Sequence, residues 1–378
     1  MRIAKVTPHL LFHKLEQPFQ SSFSTFRARF HCLVEITCDD GLTGWGECLG
    51  PARINAAVVA DMAELLIGRD PAEIEPIWLE LYNQYRDQGQ RGPIHTAISG
   101  IDIALWDIAG KRLGVPVHQL LGGAWRREIP AYATGGFRPE GGDHATAAAA
   151  EMAARVAEGF GSVKIKIGYG IDSDLRTIAA VREAIGPDTE LTIDANHGYD
   201  AVDAIELGRR AARHDIAWFE EPVVPEALTA YRHIRQSQPI PVAGGETWHG
   251  RWAVAEALRA GAVDILQPDV CGIGGLSEAR RVLTLADVHD VRVVPHVWGT
   301  AVALAASLHF HAILPPAPPA HEARSPRLEF DRTHNPFRQE IVTRPIEHDR
   351  GMVRVPDGPG LGLEIDRAAL AAYAPDAA

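Results

Sequence analysis

Cysteine is scarce in this chain of 378 residues, which contains only Cys32, Cys38, Cys48 and Cys271. None of them forms a C-x-x-C pair, so the sequence indicates neither a disulfide framework nor a structural zinc site. A reducing cytoplasm is therefore the expected location. Charged residues and histidines interrupt the N-terminal segment, and this pattern argues against an exported protein with a signal peptide.

Long apolar runs and excess positive charge are also missing. No apolar run reaches about 18 residues, so no membrane-spanning helix and no membrane partner are expected. The chain has 37 basic against 49 acidic residues, a net charge of -12, which would repel a phosphate backbone and argues against nucleic-acid binding. A small anionic substrate remains compatible, because a local cluster of cations can overcome a distant and screened negative field.

The chain is longer than the roughly 250 residues of a usual single core, so we expect one large domain with a smaller companion. Residues 31–40 alternate apolar and polar side chains and end in an Asp-Asp-Gly turn signal, which predicts a strand. Residues 55–81 follow a helical pattern that Pro71 and Pro76 should divide, and residues 99–123 follow another. The first part of the chain therefore reads as an α+β domain.

From about residue 129 short apolar segments alternate regularly with helix-like ones. The strand candidates are residues 129–135, 162–168, 190–196, 215–221, 240–246, 262–269, 291–296 and 327–331. Eight such units predict an α/β fold with a closed parallel (β/α) barrel of the TIM type. An open doubly wound sheet is the alternative, but it requires a turn with three glycines, and Gly168 and Gly170 lack the third.

Each of the last seven strand candidates carries an ionisable residue at or near its C-terminal end, where such barrels hold their chemistry. These residues are Lys166, Asp194, Glu220, Glu246, Asp269, His296 and Glu329. Any one of them alone would more often be a helix cap or a surface charge. Their recurrence once per strand–helix unit predicts a catalytic centre at the barrel mouth.

Three carboxylates, those of Asp194, Glu220 and Glu246, follow consecutive strand candidates. Converging carboxylates repel one another unless a cation lies between them, and hard oxygen ligands suit Mg²⁺. One magnesium ion per active site is therefore expected, with separate structural ion pairs as the alternative. Glu221 directly follows Glu220, so strand alternation should turn it away from the centre, which makes it the weaker ligand candidate.

Lys164 and Lys166 stand two residues apart on one strand, so they face the same side. That side should be the barrel interior, because Val163, Ile165 and Ile167 would pack against the helices. Each buried ammonium group would lower the pKa of the other, which is one way to prepare a base near neutral pH.

His296 and Asp269 follow neighbouring strands, and a carboxylate on one ring nitrogen would fix the tautomer of the imidazole. This pairing predicts a catalytic histidine. His309 and His311 have no such partner and should serve packing or solvation. His197 and His249 lie near the predicted mouth and are weaker candidates for substrate contacts.

The motifs of the chain resemble those of the mandelate racemase branch of the enolase superfamily. They are SGIDIALWDIAGK (99–111), KIKIG (164–168), IDAN (193–196), WFEEP (218–222), GGE (244–246), QPD (267–269), PHVWG (295–299) and LEFD (328–331). The resemblance runs over essentially the whole chain. It implies an enolase-like fold, a modified barrel under an α+β capping domain, with Mg²⁺ on Asp194, Glu220 and Glu246 and a stabilised enediolate.

The resemblance also implies domain bounds and a role for each site residue. A capping domain of residues 1–125 would precede a barrel of residues 126–332, and a tail of residues 333–378 would return to the cap. Lys164 would neutralise developing charge, while Lys166 and His296 would act on opposite faces of the substrate. Which of these two abstracts the proton stays open. Glu329 would hydrogen-bond the enediolate, either protonated or through a neighbour.

A narrower likeness lies in residues 44–59, 85–92, 239–251 and 330–339. It resembles members of the branch that open an acid-sugar lactone to a 3-deoxy-2-keto-hexarate. The loop 18–22, Arg53 and the segment 85–92 are weaker candidates for closing over the substrate. A symmetric homo-oligomer is implied as well.

Three alternatives remain at this point. An acid-sugar dehydratase and a racemase or epimerase would use the same metal and the same acid–base pair. A non-catalytic sugar-acid binding protein would be expected to have lost an essential residue, and all of them are intact.

Overall fold

The computed structural model describes residues 1–375, and it begins with an antiparallel sheet. Strands β1 (Ile3–Gln20), β2 (Thr25–Cys38) and β3 (Thr43–Cys48) lie in the order β3-β2-β1. The strand predicted over residues 31–40 is the second half of β2, and the turn after it places Gly41 at a positive φ of 88°. β1 and β2 form a long hairpin whose tip, residues 21–24, extends beyond the body of the sheet.

Two helices, α1 (Ala52–Leu66) and α3 (Pro93–Leu113), pack on this sheet, and α2 (Ile74–Tyr85) packs on α3. A short helix, α4 (Val117–Leu120), follows. Pro71 lies between α1 and α2 as predicted, but Pro76 lies in the first turn of α2, where the missing N–H of proline is tolerated. α3 packs so closely on β3 that a Cβ on Gly46 would lie 1.9 Å from the carbonyl oxygen of Gly100. Only glycine allows that approach.

From residue 128 strands and helices alternate. In chain order they are β4 (Glu128–Thr134), β5 (Arg138–Pro139), α5 (His144–Ala157), β6 (Ser162–Lys166), α6 (Ile171–Ile185), β7 (Glu190–Asp194), α7 (Ala201–Ala211), β8 (Ile216–Glu220), α8 (Leu228–Ser237), β9 (Val242–Gly244), α9 (Gly250–Ala260), β10 (Ile265–Leu266), α10 (Gly275–Val288), β11 (Arg292–Val293), α11 (Ala301–Ile313) and β12 (Leu328–Asp331). Short 3₁₀ turns occupy Ala212–His214 and Pro336–Arg338.

Eight of these strands form the barrel. They pair in parallel in the order β11-β10-β9-β8-β7-β6-β4-β12, so all eight predicted strands are present and the predicted fold class is confirmed. Successive side chains of these strands point alternately toward the helices and toward the barrel interior. Val163 and Ile165 belong to the core shared with the helices, whereas Tyr132, Trp218 and Ile265 form a separate inner cluster. β5 leaves the barrel and pairs with β1 near the hairpin tip.

The last segment contains β13 (His348–Asp349), β14 (Met352–Arg354) and α12 (Arg367–Ala372). β14 pairs antiparallel with the first residues of β4. Near the end, Phe12 N donates to Tyr373 O at 2.8 Å, and Arg367 binds Glu35 at 2.5 Å, so the tail reaches β1 and β2. The bounds 1–125, 126–332 and 333–378 stay a prediction, and the last three residues of that tail lie outside the described range. Within residues 1–375 no helix combines the length and apolarity needed to cross a membrane.

Candidate active site

Two buried lysines on β6 point into the barrel, as alternation predicts. Lys164 Nζ donates to Glu220 Oε1 at 2.5 Å and lies 2.7 Å from Glu329 Oε1. Lys166 Nζ donates to Asp194 Oδ2. Both lysines are therefore cations held among carboxylates.

The predicted lowering of a lysine pKa by the neighbouring lysine is present for Lys166 but is outweighed. Burial lowers the pKa of Lys166 most and Lys164 lowers it too, but Asp194 and the other carboxylates leave it above its ordinary value. Burial likewise lowers the pKa of Lys164, and Glu220 and Glu329 raise it well above its ordinary value. The structure thus differs from the expectation of a lysine poised near neutrality, because Asp194 is in direct contact with Lys166.

The first two predicted metal ligands end adjacent strands. Asp194 ends β7 and Glu220 ends β8, and the two residues are register partners. Asp194 Oδ1 accepts from the backbone N–H of Asn196 at 2.8 Å. Glu220 Oε2 accepts from Gln267 Nε2 at 2.7 Å and from Trp218 Nε1 at 3.1 Å. These donors fix the orientation of the two carboxylates.

Glu246, Asp269 and His296 stand two or three residues beyond their strands, because β9, β10 and β11 are only two or three residues long. These three residues were predicted at the ends of strands, but they lie in the loops that follow. His296 Nε2 lies 3.4 Å from Glu246 Oε2, so the third predicted ligand faces the predicted catalytic histidine. The structure brings all the predicted site residues to one end of the barrel.

Asp269 and His296 form the predicted pair. Nδ1 of His296 lies 2.7 Å from Asp269 Oδ2, whose other oxygen accepts from Cys271 N. Burial lowers the pKa of His296, but Glu246, Glu329 and Asp269 together raise it to about 10. In this arrangement His296 is an imidazolium, which is the form that delivers a proton.

Glu329 lies on β12 and joins the two halves of the site. Oε1 accepts from Thr134 Oγ1 at 2.7 Å, and Oε2 accepts from Val297 N at 3.0 Å. Burial raises the pKa of Glu329, yet Lys164 and His296 outweigh burial and leave the carboxyl well below its usual range. Glu329 is therefore ionised and has no proton to donate. Of its two expected modes of action, the one through a neighbour, Lys164, agrees with this geometry.

Glu221 does not follow the alternation assumed from the sequence. β8 ends at Glu220, and Glu221 adopts a positive φ of 44°, so its buried side chain is re-aimed toward Glu246 and Asp194. Burial and these carboxylates raise the pKa of Glu221 well above its ordinary value. His197 Nε2 lies 3.1 Å from Glu221 Oε2, while its Nδ1 bonds Val223 O.

The residues fit a hard cation. Burial and neighbouring carboxylates raise the pKa of Glu220 to about 7, and both buried oxygens of Glu221 lack hydrogen-bond partners. Such excess buried negative charge is what a divalent ion offsets, and all the donors are oxygens. In the described part of the chain no three His, Cys, Asp or Glu side chains are already arranged as ligands around one point. The ammonium groups of Lys164 and Lys166 instead hold Glu220 and Asp194.

The hairpin tip closes the site from above. Ser22 Oγ donates to Asn196 O at 2.8 Å, and Tyr169 OH donates to Gln20 O at 2.7 Å, so the predicted loop 18–22 does contact the barrel loops. Phe137 and Trp298 stand together, with ring centroids 5.6 Å apart, and Lys166 Nζ lies 5.2 Å from the Phe137 ring. The sequence did not predict Phe137 and Trp298 as part of the site, since isolated aromatic residues in loops form no recognisable pattern.

The remaining weaker candidates lie in different places. Arg53 stacks on Phe30 of the hairpin, with its guanidinium 5.6 Å from the ring. The segment 85–92 touches the loop after β9, where Gly92 N donates to His249 Nδ1 at 2.9 Å. His309 and His311 are buried on α11, consistent with the packing role expected for them.

Comparison with known proteins agrees with this geometry. Residues 6–122 match the family described as mandelate racemase / muconate lactonizing enzyme, N-terminal domain, and residues 147–369 match the enolase C-terminal domain-like family. The D-galactarolactone cycloisomerase of Agrobacterium fabrum is 60% identical over 373 residues, 99% of either chain.

Solved structures show the same fold. The 3,6-anhydro-D-galactonate cycloisomerase from Zobellia galactanivorans is 39% identical, with full coverage of both chains and a TM-score of 0.90. A racemase from Streptomyces coelicolor, solved with bound magnesium, is 27% identical over 99% of this chain and 100% of its own, with a TM-score of 0.87.

Proposed function

Because the chain belongs to the mandelate racemase/muconate lactonizing enzyme family of the enolase superfamily, we propose that it is a cycloisomerase that depends on Mg²⁺. Its substrate would be D-galactaro-1,4-lactone, with the D-glucaro lactone as a second. The product would be a 3-deoxy-2-keto-hexarate, formed without gain or loss of water. The likeness to the Agrobacterium cycloisomerase over 99% of the chain supports the substrate class.

One observation carries the chemistry: an acid and a base candidate reach the same buried centre from strands on different sides of the barrel. Lys166 comes from β6, and His296 follows β11. Lys164 Nζ lies in the same centre, 2.7 Å from Glu329 Oε1. A substrate between Lys166 and His296 meets two proton-transfer groups and one permanent cation, Lys164.

The proton next to a carboxylate is barely acidic, and its removal places a second negative charge on the α-carbon and the carboxylate oxygens. Lys164 offsets that charge as it develops, which is the largest contribution such a site can supply. A magnesium ion held by Asp194, Glu220 and Glu246 would add positive charge beside the same oxygens. Burial and the closed hairpin keep water away, so these charges act at full strength.

The steps balance as an isomerisation. Lys166 must first lose the proton that it holds beside Asp194. As the free amine it takes the α-proton, and the electron pair of that C–H bond forms a double bond to the β-carbon. The bond from the β-carbon to the ring oxygen breaks, and the ring oxygen leaves as a carboxylate. His296 then delivers a proton to the former β-carbon, and the enol O–H loses its proton to the solvent as the ketone forms, so the dicarboxylate product carries one more negative charge than the lactone. The carboxylate of Asp269, 2.7 Å from Nδ1, stabilises a charged ring and supports the assignment of His296 as the acid.

The test is proton NMR in D₂O with the full chain, Mg²⁺ and D-galactaro-1,4-lactone. We expect a 3-deoxy-2-keto acid that carries deuterium at C3, and we expect EDTA to abolish its formation. Water loss from open-chain galactarate or glucarate, with no change in the lactone, would move the assignment to a dehydratase. Deuterium exchange at the α-carbon without elimination would assign a racemase or epimerase instead.

A further inference from the structure

The carboxylates at the barrel mouth fall into two groups. Asp194 and Glu220 each contact the ammonium group of a lysine of β6. Glu246 and Glu221 form the second group, and only histidine rings lie near their oxygens, at 3.4 and 3.1 Å. Within residues 1–375 neither of these two glutamates forms an ion pair with a lysine or an arginine. The second group therefore lacks a permanent cation.

The backbone fixes the direction of Glu221. Its N–H donates to Ala243 O at 3.0 Å, and its carbonyl accepts from His197 N at 2.7 Å, so the residue is held between β9 and the loop after β7. It has a φ of 44° although it precedes Pro222, and the residue before a proline normally adopts an extended conformation. Strain of this kind persists only where the surrounding structure imposes it, and it is common at binding and active sites.

The side chain of Glu221 is a buried acceptor group without a donor. The residue is 1% exposed, and in the described part of the chain neither Oε1 nor Oε2 has a hydrogen-bond partner, since the nearby ring of His197 is not oriented to form one. Burial raises the pKa of its carboxyl most, followed by the charges of Glu246, Asp194 and Glu220, so the group faces the three predicted magnesium ligands. An unpaired carboxylate among three others is destabilising unless a cation, or a donor bound to a cation, lies against it.

We propose that Glu221 is a fourth carboxylate of the magnesium centre and accepts a hydrogen bond from a water molecule bound to the ion. Mg²⁺ requires octahedral geometry and gives up its water reluctantly, so it binds few carboxylates directly. Asp194, Glu220 and Glu246 supply three, and Glu221 supplies an acceptor beyond them that orients the water. This inference rests on the proposed function, because it concerns the metal of that reaction.

The test is isothermal titration calorimetry of the EDTA-treated full chain with magnesium chloride at pH 7. Glu221→Gln keeps the size of the side chain and removes its charge, so we expect this variant to bind Mg²⁺ at least about tenfold more weakly than the wild type. Glu226→Gln makes the same change at an exposed residue of the same loop. It is the matched control and should bind Mg²⁺ as the wild type does.

Thermal unfolding separates this role from a structural one. Without metal, Glu221→Gln should have a Tm at least as high as that of the wild type, because the variant removes a buried carboxylate that has no hydrogen-bond partner. Its rise in Tm on addition of Mg²⁺ should be smaller, because weaker binding stabilises the folded chain less. A fall in the metal-free Tm would assign Glu221 to the fold and overturn the proposal.

A loss of Mg²⁺ affinity in Glu221→Gln smaller than about tenfold would also overturn it. If that variant fails to fold, a crystal structure of the wild-type chain with Mg²⁺ decides. A water ligand of the ion within hydrogen-bond distance of the Glu221 carboxylate supports the proposal, and the absence of such a contact refutes it. If the wild type itself takes up no Mg²⁺, the proposed function fails as well. If the wild type and Glu221→Gln bind Mg²⁺ equally, only the role of Glu221 fails.

Discussion

Glu47, near the end of β3, binds Thr300, the residue that caps the N-terminus of α11 in the barrel domain. The carboxylate accepts from Thr300 Oγ1 at 2.6 Å and from Thr300 N at 3.0 and 3.1 Å, and Ala303 N donates to it at 3.0 Å. His31 contributes a further contact at 3.0 Å. Because the loop before Thr300 carries His296 and Trp298, this buried carboxylate ties the first sheet to the acid–base loop.

We expect Glu47→Gln to lower the free energy of unfolding by about 2–3 kcal/mol, since an amide nitrogen would face the N–H donors of α11 and leave one unpaired. Urea unfolding followed by circular dichroism measures this. Glu64→Gln, on the exposed face of α1, is the matched control and should change stability by less than about 0.5 kcal/mol. Equal losses in the two variants would show that the contact contributes nothing.

Lys166→Ala should reduce lactone opening by at least about a hundredfold, because the variant lacks the proposed base. Binding of Mg²⁺, measured by calorimetry, should survive, since Lys166 is no ligand. Lys14→Ala removes an exposed lysine of β1 and should retain full activity. If Lys166→Ala opened the lactone at the normal rate, the role of Lys166 would be ruled out.

Asp269→Asn should reduce turnover by about a hundredfold to ten-thousandfold, because the carboxylate at 2.7 Å holds His296 in its orientation and supports its charge. The measurement is kcat for the lactone together with deuterium exchange at the α-carbon. If Lys166 is the base, exchange should persist better than product formation. Asp290→Asn, exposed after α10, serves as the control, and a loss of exchange equal to the loss of product would favour His296 as the base.

The contribution of four buried histidines to stability should fall as the pH drops below about 6.5, the ordinary histidine pKa. Burial lowers the pKa of His309 to about 3, and that of His311, His95 and His249 to about 4. Between pH 6.5 and 4 these four side chains take up protons in the unfolded chain but not in the folded one, so the stability that they contribute above pH 6.5 is lost.

His309→Asn tests this dependence, since its Oδ1 can replace Nδ1 as the acceptor for His118 N. The variant does not titrate, so the slope of unfolding free energy against pH should shrink by about one proton between pH 6 and 4.5. Denaturant unfolding at several pH values gives that slope. An unchanged slope would mean that His309 is protonated in the folded chain.

The barrel could be predicted because its strands carry a strong local signal. Parallel strands covered by helices are short apolar runs, and a polar residue ends them at the mouth. Lys164 and Lys166 obey strand alternation, so their inward direction followed from sequence spacing alone. The same reasoning placed Asp194 and Glu220, which are the last residues of β7 and β8.

Other parts of the site depend on backbone geometry that spacing does not encode. Glu221 was assigned to the outside because alternation was extended one residue beyond β8, where a positive φ takes over. Phe137 and Trp298 come together only because β5 and the loop after β11 meet under the hairpin. The raised pKa of Lys166 likewise comes from its contact with Asp194, a distance that sequence spacing leaves undetermined.

The backbone hydrogen bond from Phe12 to Tyr373 has a consequence for folding during synthesis of the chain. A ribosome makes β1 before Tyr373, and at typical rates of elongation the roughly 360 residues between Phe12 and Tyr373 take about 20 to 70 s. During that interval the edge of β1 at Phe12 lacks its partner in the folded protein. The eight barrel strands are complete before Tyr373 emerges. The edge of β1 at Phe12 should therefore gain its partner later than the hairpin tip, whose contacts with Tyr169 and Asn196 need no residue of the tail.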